Sequence, residues 1–262
     1  RVYEESGVKE AVLASLEGKD ATIFVYGQTG SGKTHTMLGD AMSGEGSGEA
    51  ECTEGLVQMS IRDLLSAANR KEENSGSCPI KVSVVASLLQ IYNEELSDLL
   101  KNGNKVHPKA FVEREGRISL DALERHRINS PEELGMLMAK GLKHRRTAST
   151  ALNLVSSRSH TVLTWEIEVW ETGGVDGVPE RQQHHHGQIG HAGPKDSGVH
   201  RVGLTARLNL VDLAGSERVK DSGVGGQELR EATCINCSLL SLIRVVDTVT
   251  SKTSKNKSPE KK

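Results

Sequence analysis

Gly27-Gln28-Thr29-Gly30-Ser31-Gly32-Lys33-Thr34 follows directly on the apolar run Ala21–Tyr26. A strand running into G-x-x-x-x-G-K-T carries the residue types that a nucleoside triphosphate needs. Glycines let successive backbone N–H groups turn inward around phosphate oxygens. Lys33 supplies a point charge for the β- and γ-phosphates. The Thr34 hydroxyl is placed to ligate Mg²⁺. A helix beginning at Lys33 would add the positive end of its dipole. The competing explanation is a chance match in a chain with 27 glycines. The strand before the motif is the context that a real phosphate loop requires.

Two further segments carry chemistry of the same kind. Leu208-Asn-Leu-Val-Asp212-Leu-Ala-Gly215-Ser-Glu217 is a hydrophobic strand ending in a carboxylate. Asp212 is placed to hold Mg²⁺ through its water shell, and the Gly215 N–H can approach a γ-phosphate. An ordinary strand-turn with Asp-x-x-Gly fits these residues equally well. Asn153-Leu-Val-Ser156-Ser157-Arg158-Ser159-His160 gathers hydroxyls, a guanidinium and an imidazole just before a predicted strand. That density suits a loop around Mg²⁺, water and phosphate. A polar surface loop is the plainer alternative.

The elements that must position these groups can be read from periodicity. Helices are expected over Val8–Leu16, over Leu56–Ala68, and from Ser130-Pro-Glu-Glu133 towards Leu142. The last has Ser as cap, Pro at the first position and Glu three residues on. Buried strands are expected at Ile23–Tyr26, Ile80–Tyr92, Thr161–Trp170 and Arg207–Val211. Gly39–Glu54 reads as a flexible loop, Asn69–Cys78 as a polar, mobile stretch, Asn93–Leu100 as a short helical turn and Lys105–Leu120 as irregular or weakly stranded. Glu171–Thr205, rich in Gly, Pro and His, reads as an inserted exposed loop. Glu228–Thr250 has a long helical pattern, and Ser251–Lys262 is a disordered tail. Alternating strands and helices with a phosphate loop indicate an α/β sheet with the ligand at the strands' C-terminal edge.

Composition narrows the function classes. The 262 residues make one large domain or two small ones. Net charge is −2, which gives no general attraction for nucleic acid. No apolar run approaches the ~18 residues of a membrane span, so no membrane insertion is expected. Arg1-Val-Tyr-Glu-Glu5 is not a signal peptide, and the chain without an initiator Met reads as a segment of something longer. Four cysteines suggest a reducing compartment. Cys234 and Cys237 have metal-pair spacing, but Cys52 and Cys78 stand alone, so two small helix residues is the better reading. The histidines at 184–186, 191 and 200 read as a solvated loop rather than a metal site.

Taken together, Gly27–Thr34, Asn153…Ser-Ser-Arg-Ser-His160 and Asp212-Leu-Ala-Gly-Ser-Glu217 resemble the three nucleotide-sensing motifs of the kinesin motor domain, in that family's order. Ile91-Tyr-Asn-Glu94, Asp98-Leu-Leu100, Arg146-Thr-Ala-Ser-Thr150 and Ile235-Asn-Cys-Ser-Leu239 also fit. The resemblance implies a P-loop NTPase-type mixed central sheet flanked by helices on both faces, over residues 1–250, with 171–205 inserted and 251–262 a Lys-rich tail. It implies ATP and Mg²⁺ as cofactors, with residues 27–34 on the phosphates and His35 near the adenine. Thr34 and Ser157 would be the protein hydroxyls at Mg²⁺. Ser156 would hold the attacking water, and Arg158 would pair with Glu217 over the γ-phosphate. Glu217 would relay a proton, Gly215 would report the γ-phosphate, and Asn236 would lie on the helix coupling this loop to the track.

The implied activity is a microtubule-stimulated ATPase coupled to movement, in the cytoplasm on the microtubule cytoskeleton. The implied partner is tubulin; oligomerisation would use regions outside this segment. The alternative is a degenerate module that binds nucleotide or tubulin without moving. The chain departs from the family in several places. It starts after the family's Arg-x-Arg-Pro strand and ends before its Tyr-Arg-Asp-Ser-Lys-Leu-Thr segment, which predicts an unpaired sheet edge beside Ile23–Tyr26. Cys237 stands where Lys or Arg is usual, and Ile243-Arg244 replaces Gly-Asn. The lysines at 252, 255, 257, 261 and 262 would restore positive charge towards an acidic track, or form a plain solvated tail.

Overall fold

A computed structural model describes residues 1–43, 53–76, 78–106, 123–147, 158–172, 200–216, 237 and 239–248. Expectations for residues 107–120, Asn153–Ser157, Glu217, Glu228–Asn236, the histidines at 184–191 and the tail lie outside these residues.

The elements are α1 (Val2–Glu5), α2 (Val8–Ala14) with a 3₁₀ turn (Ser15–Glu17), β1 (Ala21–Val25), α3 (Lys33–Ser43) and α4 (Leu56–Glu73). Then come β2 (Ile80–Tyr92), β3 (Glu95–Asp98), β4 (Asn104–Val106), β5 (His126–Arg127), α5 (Pro131–Thr147), β6 (Ser159–Thr172) and β7 (His200–Asp212). Seven strands form a mixed sheet in the order β1-β7-β6-β2-β3-β4, with β5 on β2. Among the described residues only β1 and β7 run parallel.

Register explains the core. Ile23, Leu210, Leu163 and Leu88 stand opposite one another across four strands, and Ala21, Leu208, Trp165 and Ala86 form the next such row. Strand side chains alternate between faces, so both rows share one face. Trp165, Leu88 and Leu208 are fully buried with Val12, Ile61, Leu64, Leu134 and Met138 from the helices. Each such side chain contributes roughly 1.5–3 kcal/mol. The opposite face carries the polar row Thr22, Asn209, Thr164 and Ser87. There Thr164 Oγ1 donates to Asn209 Oδ1 at 2.9 Å, and Asn209 Nδ2 donates to Thr22 Oγ1 at 3.1 Å.

The expected edge is present. Among the described residues β1 pairs with β7 alone, and Phe24 and Tyr26 are 39% and 56% exposed. The capped start of α5 is present too: the Glu133 N–H donates to Ser130 Oγ, and Glu133 Oε2 accepts from the Asn129 N–H.

Four expectations are corrected. The ends of Gly39–Glu54 are not flexible loop: residues 39–43 continue α3, and Gly39 bridges Glu54. Asn93–Leu100 is not a helical turn but a hairpin, with Tyr92 opposite Glu95. Asn93 and Glu94 take φ of 50° and 62°, as a two-residue turn matching strand twist requires. Asp98 closes the far end: its buried carboxylate accepts the N–H groups of Leu100, Lys101 and Glu124. Residues 69–73 are not a mobile stretch but the last turns of α4, because Lys71 Nζ bonds Leu16 O and Glu72 Oε1 takes the Val82 N–H. Finally, residues 171–172 and 200–205 belong to strands rather than to a loop, since β6 and β7 pair out to Thr172–His200.

Candidate functional site

The site lies where β1 and β7 end side by side. After β1 the chain enters the glycine loop, and residues 28–32 are exposed. A Cβ on Gly27 would come within 2.6 Å of Ser31 Oγ, so a side chain there would have to displace that hydroxyl. Gly30 and Gly32 take φ of 78° and 85°. Gln28 O accepts the Ser31 N–H at 3.2 Å, and Thr36 N–H reaches back to Gly32 O at 2.8 Å, which starts α3 at Lys33. Lys33 Nζ folds over the loop onto Gln28 O at 2.9 Å. Thr29 lies on the exposed arc between these anchors.

Beneath the loop is a buried charge centre. Asp212 is 2% exposed at the end of β7. Its Oδ2 accepts from Thr34 Oγ1 at 2.8 Å and from Arg145 Nη1 at 3.2 Å. Arg145, 4% exposed, also donates from Nε to Ser159 Oγ at 3.4 Å and from Nη2 to Ser159 O at 3.3 Å. A buried guanidinium survives only with its donors engaged, and here one carboxylate and one strand end engage it.

The turn after β7 is held from two sides. The Ala214 N–H donates to His160 Nδ1 at 3.1 Å, and the Ser216 N–H donates to Gly27 O at 3.1 Å. Gly215 is therefore fixed between the Ser-Arg-Ser-His strand and the glycine loop. His160 is buried; desolvation lowers its pKa below the ordinary 6.5, Asp212 opposes the shift and Arg145 adds to it. Its Nδ1 is an acceptor for the backbone only while unprotonated.

The structure thus brings Gly27, Gln28, Gly30, Ser31, Gly32, Lys33, Thr34, Asp212 and Gly215 to one corner, with half-buried Arg158 one residue before Ser159. Ser156, Ser157 and Glu217 lie outside the described residues. His35 is 48% exposed on the first turn of α3, and its Nε2 lies 3.0 Å from Asp40 Oδ1. Sequence reasoning missed Arg145. The signal was present: Leu134, Met138 and Leu142 form a buried stripe on α5, and Arg145 continues it. A charge on a buried stripe needs a buried partner.

Mg²⁺ prefers oxygen donors, usually one or two protein oxygens plus water and phosphate. The Thr34 hydroxyl and Asp212 supply that chemistry. Asp212 Oδ1 is buried and has no hydrogen-bond partner among the described residues, so one acceptor is left for a metal-bound water. The residues fit the ion. No other group of metal-ligating side chains occurs among the described residues, nor a helix long and apolar enough to cross a membrane.

Comparison with known proteins agrees. The family model "Kinesin motor domain" matches residues 1–259. A kinesin-like protein KIN-12G of Oryza sativa subsp. japonica is 35% identical over 232 residues, covering 88% of this chain and 16% of the relative. Klp61F of Drosophila melanogaster is 33% identical over 235 residues, covering 88% of this chain and 19% of the relative. A solved fast kinesin superposes with a TM-score of 0.65 at 27% identity, over 90% of this chain and 55% of that one. The motor domain of Kar3 from Saccharomyces cerevisiae gives 0.63 at 29% identity, over 90% and 58%. The chain spans under a fifth of either relative's length and little more than half of either solved structure. On a family match that runs nearly end to end, this chain belongs to the kinesin motor-domain family.

Proposed function

We propose that this chain hydrolyses MgATP as the nucleotide-sensing part of a microtubule motor, with residues 1–250 as its motor-type domain and 251–262 as a tail. The observation that carries this reading is the single hydrogen-bonded set Thr34–Asp212–Arg145–Ser159. It ties the end of the phosphate loop to the strand that ends in Asp212 and to the strand that follows Arg158.

In this reading the glycine loop and Lys33 hold the triphosphate, and Lys33 leaves Gln28 O for it. Thr34, Ser157 and, through water, Asp212 would hold Mg²⁺, which would supply positive charge against the phosphates. Ser156 orients the attacking water. Arg158 and Glu217 close over the γ-phosphate, and Glu217 takes up the water's proton. Gly215 senses the γ-phosphate because His160 and Gly27 fix the turn on either side of it. Losing the phosphate releases that turn, a two-state change of the kind that moves a neighbouring element.

The element we assign to tubulin is the helical segment 239–248, where Ile243 and Val245 are 43% and 60% exposed. Its partner is the microtubule of the cytoplasmic cytoskeleton. Phosphate release by the 262-residue chain, with and without microtubules, tests the reading. Stimulation is expected in the wild type and no turnover in Lys33→Ala or Glu217→Ala. Release at the wild-type rate from either variant rejects the roles.

A further inference from the structure

The far end of α3 folds back on its own first turn. His35 and Asp40 are five residues apart, which in a straight helix places them roughly 140° apart around the axis. Their contact at 3.0 Å therefore needs a break. Gly39 supplies it, with φ 67° and ψ −178° inside the helix. A Cβ at Gly39 would come within 2.2 Å of Thr53 O, so both conformation and space demand glycine.

Beyond the break, Asp40 is fastened to the chain that returns towards α4. Its N–H donates to Thr53 O at 3.0 Å, and its Oδ2 accepts from the Thr53 N–H at 3.1 Å. Gly39 and Glu54 form an antiparallel bridge. Gln58 of α4 completes the strap: its Nε2 donates to Leu38 O at 2.6 Å, and its Oε1 accepts the Gly55 N–H at 2.9 Å. One Asp40 oxygen is thus spent on the strap, and the other reaches His35.

We propose that Asp40 is a positioning residue for the nucleobase. Through Nε2–H it holds the His35 imidazole in the orientation that meets the base of a bound nucleoside triphosphate. The strap at 38–40 and 53–58 fixes Asp40 in turn. This rests on the reading of His35 as base-facing given above. An exposed imidazole without the tether loses rotamer freedom when the base arrives, and that loss weakens binding. Asp40 lies outside the glycine loop and the Thr34–Asp212 pair, so its contribution is confined to ligands that carry a base.

Calorimetry on the 262-residue chain separates the cases, with Mg²⁺ present and two probes, β,γ-imido-ATP and inorganic tripolyphosphate. Asp40→Ala is expected to weaken the ATP analogue about 5-fold, the scale of ordering one side chain, and to leave tripolyphosphate unchanged. His35→Ala should cost a similar factor, and the double variant little more than either single one. Asp40→Asn keeps an oxygen for the Thr53 N–H and should still weaken the analogue about 2-fold or more, which covers the case in which Asp40→Ala loosens the strap. Equal weakening of both probes, or fully additive single variants, overturns the tether. Wild type that binds both probes while Asp40→Ala matches it overturns Asp40's part alone. Wild type that binds neither overturns the nucleotide reading and this inference with it.

Discussion

Two ion-pair clusters sit on the same pair of strands, β6 and β7. Arg145–Asp212 lies at the strand ends on the core face, with side chains 4% and 3% exposed. Glu166, further along, faces the other way and takes Arg125 Nη2 at 3.4 Å and Arg207 Nη2 at 3.3 Å, with all three side chains 21–28% exposed. Both set guanidinium groups on a carboxylate, so the kind of charge does not distinguish them. Burial does. In the first, every lost partner leaves a bare charge without water; in the second, water replaces what is lost. The first also leaves one buried carboxylate oxygen, Asp212 Oδ1, without a hydrogen-bond partner among the described residues.

The comparison breaks most directly at Arg145. Arg145→Ala should lower unfolding free energy by about 3–5 kcal/mol, the cost of stripping one member from a buried pair. Urea denaturation measures it, and a loss no larger than that at Glu166 would erase the contrast. Thr34→Ala removes a donor from the same carboxylate. About 1–3 kcal/mol of stability should go, together with phosphate release, the two read by denaturation and by turnover.

A pH test sharpens the distinction. His160 has a folded-state pKa below its unfolded value, so above about 6.5 neither state holds the proton and the stability is fully present. As pH falls from about 6.5 towards the depressed value, the unfolded state gains the proton first and stability is lost. Denaturation at pH 7.5 and pH 5.5, on the order of one unit either side of that midpoint, should show a drop in wild type that is smaller in His160→Asn. That variant keeps an oxygen acceptor for the Ala214 N–H. An identical drop in both proteins would show that His160 carries no such linkage. The smallest effect belongs to Glu166→Gln, expected to cost about 1 kcal/mol or less and to fade further in high salt.

The glycine loop was legible because a phosphate cradle needs particular residue types in a fixed order. Asp212 was legible because an apolar strand ending in a carboxylate is hard to mistake. Harder were features set by pairing. Leu96, Leu99 and Leu100 have helical spacing, and only the left-handed Asn93 and Glu94 turn them into a hairpin; neither is glycine, so the usual turn signal is absent. The start of β7 is hidden likewise, because it becomes strand by pairing with β6 rather than by its own apolar content. Arg145 looked like one of several cations at a helix end until the stripe beneath it was followed. The His35–Asp40 contact had no linear signal at all, since a straight helix separates those residues.

The strand that delivers the glycine loop is hemmed in on one side only among the described residues, whereas β6 has β7 and β2 as neighbours. Amide hydrogens of Ala21–Val25 that point outward should therefore swap for deuterium well before those of Leu163–Val169. A triphosphate docking on the loop would be felt first as slower labelling along that rim.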